Sequence, residues 1–132
     1  LHWIIATHVR MSEAMQPWFV FCFMEAKSFP PAERQRAIEM EVMTEKIIAG
    51  VLRQGVASGV FAIDQITLTA SLIKPLLQDW YVKRAKYRRR GTSIEAYINA
   101  VCALVDTAVA GRTRPGRVAS GSRTRTRQTA HP

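Results

Sequence analysis

The sequence predicts an all-α protein, a bundle of about five helices that forms one domain over residues 1–111. First, apolar residues recur at the three- and four-residue spacing of an α-helix through most of that region. Second, glycines and prolines stand between the periodic segments, where helices are expected to start and stop. Third, a chain of 132 residues, 48% of them apolar, is long and apolar enough to bury one hydrophobic core.

The net charge of +9 is concentrated at the C-terminal end of the chain. Residues 112–132 hold six of the 19 basic residues and no acidic one, so the preceding 111 residues carry 13 basic and 10 acidic groups, a net charge of only +3. This terminal segment is rich in Arg, Thr, Ser and Gly, and it has too little apolar surface to form a core. We therefore expect residues 112–132 to be a disordered, arginine-rich tail.

The first helix should cover residues 1 to about 14, and the chain is expected to begin within it. Because Leu1 is not an initiator methionine, we expect a further segment to precede it. His2 and His8 lie in this helix, but no second ligand stands at metal-binding spacing. We interpret both as structural histidines and expect no metal site.

A strongly apolar second helix should start at Pro17, since proline is favoured in the first turn of a helix. The run from Pro17 to Met24 is the longest apolar run and contains four aromatic residues. Its length is far short of the ~20 residues that a membrane-spanning helix needs, so we expect no membrane partner. The segment should be buried, either as core alone or as core that also forms the wall of an apolar cavity.

A long helix centred on residues 39–61 is expected to organise the bundle. Its apolar residues fall on two roughly opposite faces, and a helix with two apolar faces is normally buried on both sides. The other helices should therefore pack around it, and Gly55 and Gly59 should end it. The two faces contain Ile38, Val42, Ile48, Leu52 and Val56 on one side and Met40, Met43, Ile47 and Val51 on the other.

The next helix should run from about residue 65 to 89, with Asp64 as its N-cap. Pro75 lies inside it and should kink the axis, because proline cannot donate the backbone hydrogen bond. Six of the eight residues from Lys83 to Arg90 are basic. A basic segment of this kind suits a solvated helix C-terminus. The alternative is a patch that contacts phosphate groups.

The last helix should begin at a capping box, Thr92-Ser-Ile-Glu95, and end at Gly111. Its apolar face and that of the preceding helix offer more apolar surface than two neighbouring helices can bury within one chain. Exposed apolar surface of that extent normally marks an interface, and a two-fold symmetric dimer is the commonest arrangement. We therefore expect a homodimer, with these residues at its interface: Ile73, Leu77, Tyr81, Ile98, Val105 and Val109.

The sequence contains no glycine-rich phosphate loop, no serine nucleophile elbow and no metal-spaced set of His and Cys. Glu41 and Glu45 lie one turn apart, but without a partner His or Asp they suit solvated side chains or ion pairs with a neighbouring helix. Cys22 and Cys102 lie in apolar surroundings and are interpreted as small buried residues in a reducing, cytoplasmic setting. We therefore expect a binding module without a cofactor and not an enzyme.

Two motifs carry a resemblance to a known family. The segment Gly55-Val-Ala-Ser-Gly-Val-Phe61 is similar to the Gly-x-x-x-Gly-x-Phe turn that follows the long helix in TetR-family transcriptional repressors. The run from Tyr87 to Tyr97, which leads from the basic segment into the last helix, adds support. The order of the helices over residues 1–111 also resembles the C-terminal, ligand-sensing domain of that family. The helix-turn-helix of the family is not in this sequence.

The resemblance implies a small-molecule pocket among the central helices, a homodimer made by the last two helices, and DNA binding only through an N-terminal domain. The effector should be a small apolar or aromatic compound, since many large side chains are expected to face inward and methionine repacks easily around varied ligands. We place the pocket between the aromatic helix, the methionine face of the long helix and the proline-containing helix. Its lining should be Phe19, Phe23, Met40, Met43, Ile47 and Trp80.

Two other interpretations remain open. The chain could be a small basic helical protein that binds nucleic acid non-specifically through residues 83–90 and the arginine tail. It could also be a helical interaction domain that has no ligand. The resemblance favours the effector-binding and dimerisation domain of a transcriptional repressor over both.

Overall fold

A computed structural model of the chain describes residues 1–110, which form six α-helices and one short 3₁₀ turn. The all-α prediction is confirmed for these residues, and the predicted tail at 112–132 lies outside them. None of the described helices combines the length and apolar character that crossing a membrane requires. The helices are α1 (His2–Ala14), α2 (Gln16–Glu25), α3 (Pro31–Ala57), α4 (Ile66–Val82), α5 (Arg84–Arg89) and α6 (Ile94–Val109), with the 3₁₀ turn at Ala26–Ser28.

Helix α4 is the centre of the bundle, since it contacts each of the other five helices in the described region. Helix α1 packs against both α4 and α6, and α3 packs along α4. Because α4 is shared by all of these pairs, one continuous hydrophobic core forms on it. The largest fully buried apolar side chains are Ile5 and Val9 of α1, Ile48 and Leu52 of α3, Leu77 and Trp80 of α4, and Val105 of α6.

The long helix α3 does not organise the bundle, contrary to the prediction. Of its 27 residues only Ile48, Ala49 and Leu52 are buried, and they lie on the side that meets α4. The opposite face is open, with Met40 68% and Met43 58% exposed. On the predicted face that includes Ile48 and Leu52, Ile38 and Val42 are also exposed, at 48% and 43%. A helical period does not show which part of an apolar face a neighbouring helix covers.

Helix α2 is also less buried than the sequence predicted. None of its residues is buried, and Trp18 is 59% and Met24 63% exposed. The helix contacts α4 along one side, where the rings of Phe19 and Phe23 lie 5.2 and 6.3 Å from the ring of Tyr81. This apolar segment is therefore only partly covered among the described residues, where it packs mainly against α1, α4 and the following 3₁₀ turn.

The turn after α3 explains the glycine spacing in the sequence. Helix α3 continues past Gly55 to Ala57, and the backbone N–H groups of Val60 and Phe61 both donate to the Gly55 carbonyl. A Cβ atom at Gly55 would collide with the ring of Phe61, so this position requires glycine. Gly59 has a φ of 75°, in the left-handed region that glycine adopts without steric cost.

The helix starts differ from the predicted caps by one residue. Gln65, not Asp64, precedes α4, and no side chain caps that helix. Ser93 caps α6, with its hydroxyl accepting from the Ala96 N–H at 3.1 Å, so the capping box at Thr92 does not form. The side chain of Glu95 instead pairs with Arg10 of α1.

The predicted helix over residues 65–89 is divided at Lys83 into α4 and α5. Helix α4 continues through Pro75.

Candidate functional site

The core contains a buried lysine on α4. Lys74 is 5% exposed, and its neighbours Ile73 and Leu77 are also buried. Its ammonium group donates to the main-chain carbonyl of Glu41 at 3.1 Å and lies 2.8 Å from the Glu41 carboxylate. The Glu45 carboxylate lies 3.9 Å away. A buried ammonium group is unfavourable unless it is paired, so these two carboxylates are what allow Lys74 to lie inside the bundle.

The same polar cluster extends along the face of α4 that meets α3. The hydroxyl of Ser71 donates to the Glu45 carboxylate at 3.0 Å, and the amide of Gln78 donates to the Glu41 carboxylate at 3.3 Å. The structure therefore shows the ion-pair interpretation of the two glutamates, with α4 as the neighbouring helix. Burial lowers the pKa of Lys74 to about 8, so its charge is held only weakly near neutral pH.

His8 of α1 has an unusual environment. Its Nε2 atom is buried and has no hydrogen-bond partner among the described residues. Burial and the positive charge of Lys74 both lower the pKa of His8, so the imidazole is neutral at pH 7. A buried polar atom without a partner costs about 1–3 kcal/mol, which is why such atoms are rare in folded proteins. Nε2 of His8 is therefore a candidate contact for another molecule.

Aromatic rings cover this histidine. The ring of Phe19 packs edge-on against His8, with the ring centres 5.8 Å apart, and it also contacts the ring of Tyr81 at 5.2 Å. Tyr81 lies on the same face of α4 as Lys74 and Gln78, because these positions are three and four residues apart. Burial raises the pKa of Tyr81. We call this group of residues the inner site: His8, Phe19, Lys74, Gln78 and Tyr81, together with Glu41.

The residues predicted to line the pocket lie in three different places. Phe19 belongs to the inner site, and Phe23 lies next to that site, against the ring of Tyr81. Trp80 is buried but points elsewhere, donating to Glu13 at 2.9 Å and stacking on Tyr87. The remaining three residues lie on the open face of α3, with exposures of 68% for Met40, 58% for Met43 and 50% for Ile47.

Sequence reasoning missed the polar residues of the inner site. The sequence pattern indicates a structural role for His8 and does not single out Lys74. A signal was present, because Ala70, Lys74, Leu77 and Tyr81 follow the four- and three-residue spacing of one buried helix face. His8 likewise falls in the register of Ile5, Val9 and Ser12, which are all buried.

Part of the basic segment has a structural role. Arg84 donates to the Glu13 carboxylate at 2.7 and 2.5 Å and so joins α5 to α1. These hydrogen bonds hold the pKa of Glu13 below its usual value. Lys86 lies 2.9 Å from Asp79, which also accepts from the Tyr87 hydroxyl.

Two open surface depressions lie close to these elements. One is at the start of α4, and the other, at the junction of α1, α2 and α5, is lined in part by Glu13 and Arg84. Neither of these two depressions is lined by His8 or Lys74.

The predicted dimer-interface residues lie inside the chain's own core. Ile73, Leu77, Tyr81, Ile98, Val105 and Val109 are each at most 5% exposed. The apolar stripes of α4 and α6 therefore cover each other and α1, and they are not free for a partner. The outward faces of the same helices present other leucines, with Leu68 51%, Leu72 64% and Leu104 58% exposed.

Comparison with known proteins identifies one family. The family described as "Tetracyclin repressor-like, C-terminal domain" matches residues 1–103, which include α1 to α5 and most of α6. No curated protein and no solved structure matches the chain.

Proposed function

Since the chain belongs to the family of tetracycline-repressor-like C-terminal domains, we propose that it is a regulatory, non-catalytic domain that binds a small effector and forms the dimer of a transcriptional repressor. In such a repressor, DNA would be bound by a helix-turn-helix domain distinct from this C-terminal domain. Effector binding would then change how two such domains are held relative to each other.

The observation that carries the effector proposal is the unpartnered Nε2 atom of His8 beside the buried Lys74. If the bundle were selected only for stability, such groups would be replaced by apolar ones of similar shape, because that replacement stabilises a fold. Their presence between α1, α3 and α4, next to the Phe19 and Tyr81 rings, supports a ligand site at this place. It also shifts the proposed pocket from the methionine face of α3 to the inner site.

An effector at the inner site would act through α4. This helix carries Lys74, Gln78 and Tyr81 on its inner face, and Leu68 and Leu72 on its outer face. A ligand that moves α4 by a small distance would therefore also move the surface offered to a partner. If the dimer has two arrangements, the ligand shifts the equilibrium between them only to the extent that it binds one more tightly than the other.

The dimer proposal uses the outer faces of α4 and α6. Leu72 of α4 and Leu104 of α6 are large exposed apolar residues, and Ala100 and Ala103 next to Leu104 are small enough to let a second helix approach closely. A two-fold axis at this face would place α4 and α6 of one chain against the same helices of its partner. The two unpaired cysteines, Cys22 and Cys102, suit the cytoplasmic setting of such a repressor.

The test combines the two properties. The melting temperature of the chain would be measured with a library of apolar and aromatic compounds, because a ligand that binds only the folded state raises it. Sedimentation equilibrium would be run on the same samples. We expect a dimer at micromolar concentration and at least one stabilising compound. A monomer that no compound stabilises would overturn the proposal.

A further inference from the structure

The inner site also indicates the chemical class of the effector. Building on the proposed function, we propose that the effector is an uncharged, largely apolar molecule with one hydroxyl or carbonyl group, and that this group hydrogen-bonds to Nε2 of His8. The apolar part of the molecule would replace Phe19 against His8 and Tyr81.

The first step of the argument is the unsatisfied atom. Nε2 of His8 is buried, and no described residue donates to it or accepts from it. A neutral imidazole nitrogen is a donor in one tautomer and an acceptor in the other. It can therefore pair with a hydroxyl, which does both, or with a carbonyl, which accepts.

The second step concerns a positively charged ligand. Helix α1, which carries His8, packs against α4, which carries Lys74, and the positive charge of Lys74 lowers the pKa of the imidazole. The same charge would raise the free energy of any cationic group placed at Nε2. An ammonium ligand is therefore disfavoured.

The third step concerns a negatively charged ligand. Lys74 is the cation that could attract an anion here, but its ammonium group already donates to the Glu41 main chain and pairs with the Glu41 carboxylate, and the Glu45 carboxylate lies 3.9 Å away. Together the three side chains carry one negative charge, but Lys74 is the one whose charge acts on the His8 imidazole. A carboxylate ligand would compete with Glu41 for the lysine and be repelled by Glu45, so an uncharged polar group is the best match.

The fourth step is access. His8 is covered by Phe19 of α2, and no residue of α2 is buried. An element with few buried contacts opens at a lower free-energy cost than the rest of a fold. Helix α2 can therefore move outward and let an apolar chain enter between Phe19 and Tyr81.

The experiment compares four probes that share one hydrocarbon chain length: n-octanol, methyl hexyl ketone, octanoate and octylammonium. Their affinities for the full chain would be measured at pH 7 by titration calorimetry and by thermal shift. We expect n-octanol and the ketone to bind more tightly than the two ions. In a nitrogen-detected NMR spectrum, the imidazole signals of His8 should shift with n-octanol, while those of the exposed His2 should not.

His8→Phe removes the nitrogen and keeps a ring. It should weaken n-octanol binding about two- to tenfold, the worth of one net hydrogen bond, and leave octanoate and octylammonium nearly unchanged. Without a probe, the variant should melt at the same temperature as the wild type or higher, since the unpaired atom is gone. His8→Gln keeps a hydrogen-bonding group and should keep the preference for n-octanol, and His2→Phe is the matched control outside the site.

The outcomes separate the two proposals. Equal or tighter binding of either ion, or unchanged n-octanol binding by His8→Phe, would overturn the assignment of ligand class and leave effector binding in place. Absence of binding by all four probes, together with failure of the wider compound screen, would overturn the effector site itself. If His8→Phe fails to fold, the His8 signals of the wild-type protein decide, because a hydrogen bond at Nε2 must move them.

Discussion

The ammonium group of Lys74 lies 2.8 Å from the carboxylate of Glu41, and this ion pair joins the buried face of α4 to the middle of α3. Lys74 is 6% exposed in its side chain, whereas Glu41 is 55% exposed, so the pair connects the interior to the surface. Only the lysine pays a large desolvation cost, and this makes the stability of the fold dependent on pH.

Stability should rise with pH through the titration of Lys74. Its pKa is about 8 in the folded chain and about 10.4 when unfolded, so between these values the unfolded chain holds a proton that the folded chain has released. The free energy of unfolding should increase there by up to about 1.4 kcal/mol per pH unit. Urea denaturation at several pH values would show this against Lys74→Met, which lacks the effect. Lys46→Met, at an exposed position of α3, should follow the wild type, and parallel profiles for all three proteins would refute the prediction.

Gly55→Ala should destabilise the fold by about 1–3 kcal/mol, since its Cβ would collide with the Phe61 ring and force the turn to shift. Gly50→Ala is the matched control. No atom lies within 4 Å of a Cβ at Gly50, and glycine inside a helix costs about 0.5–1 kcal/mol relative to alanine, so this variant should be more stable than the wild type. Thermal denaturation of the two variants should move in opposite directions. A loss of stability at both positions would show that the Phe61 contact is not the cause.

Leu104 and Val105 are adjacent in α6, but their side chains point about 100° apart around the helix axis, and their exposures are 58% and 1%. Leu104→Glu should leave the helical content unchanged and convert the dimer to a monomer, because a charge on the outer face would be buried at the partner. Val105→Asp should instead unfold the chain, since it places an unpaired charge in the core. Circular dichroism and sedimentation together distinguish these results. A folded Leu104→Glu protein that stays dimeric would exclude this face as the interface.

Glu13→Gln should destabilise the junction of α1, α4 and α5. The Glu13 carboxylate accepts from Trp80 and from Arg84, and hydrogen bonds to charged groups are worth about 1.5–3 kcal/mol each. Because the pKa of Glu13 is lowered in the folded chain, its contribution is present above the unfolded pKa and is lost as pH falls through the folded value. Wild type and variant should therefore differ at pH 7 and converge in acid. Glu33→Gln, at an exposed position of α3, is the control and should have little effect at either pH.

Local features of this protein could be predicted from its sequence. The helix order, the proline in the first turn of α2 and the glycine turn before Phe61 all follow from interactions between residues close in the chain. The family was recognisable for the same reason, because its motif is a turn whose glycines have a local steric cause. The boundaries were less accurate, as the caps at Gln65 and Ser93 show, since neighbouring polar residues compete for the same role.

The tertiary structure alone decided which faces are covered. Helical periodicity gave α3 two apolar faces, and packing against α4 covered Ile48 and Leu52 but not Met40 and Met43. The same packing buried Lys74, because Glu41 and Glu45 of a different helix were in place to pair with it. The period of a helix is set by backbone hydrogen bonds between residues four apart, whereas the burial of its side chains depends on which distant segments pack against it. For that reason the helices can be read from local patterns in the sequence. The assembly of those helices determined the centre of the bundle, the polar inner site and the exposed outer face at Leu104.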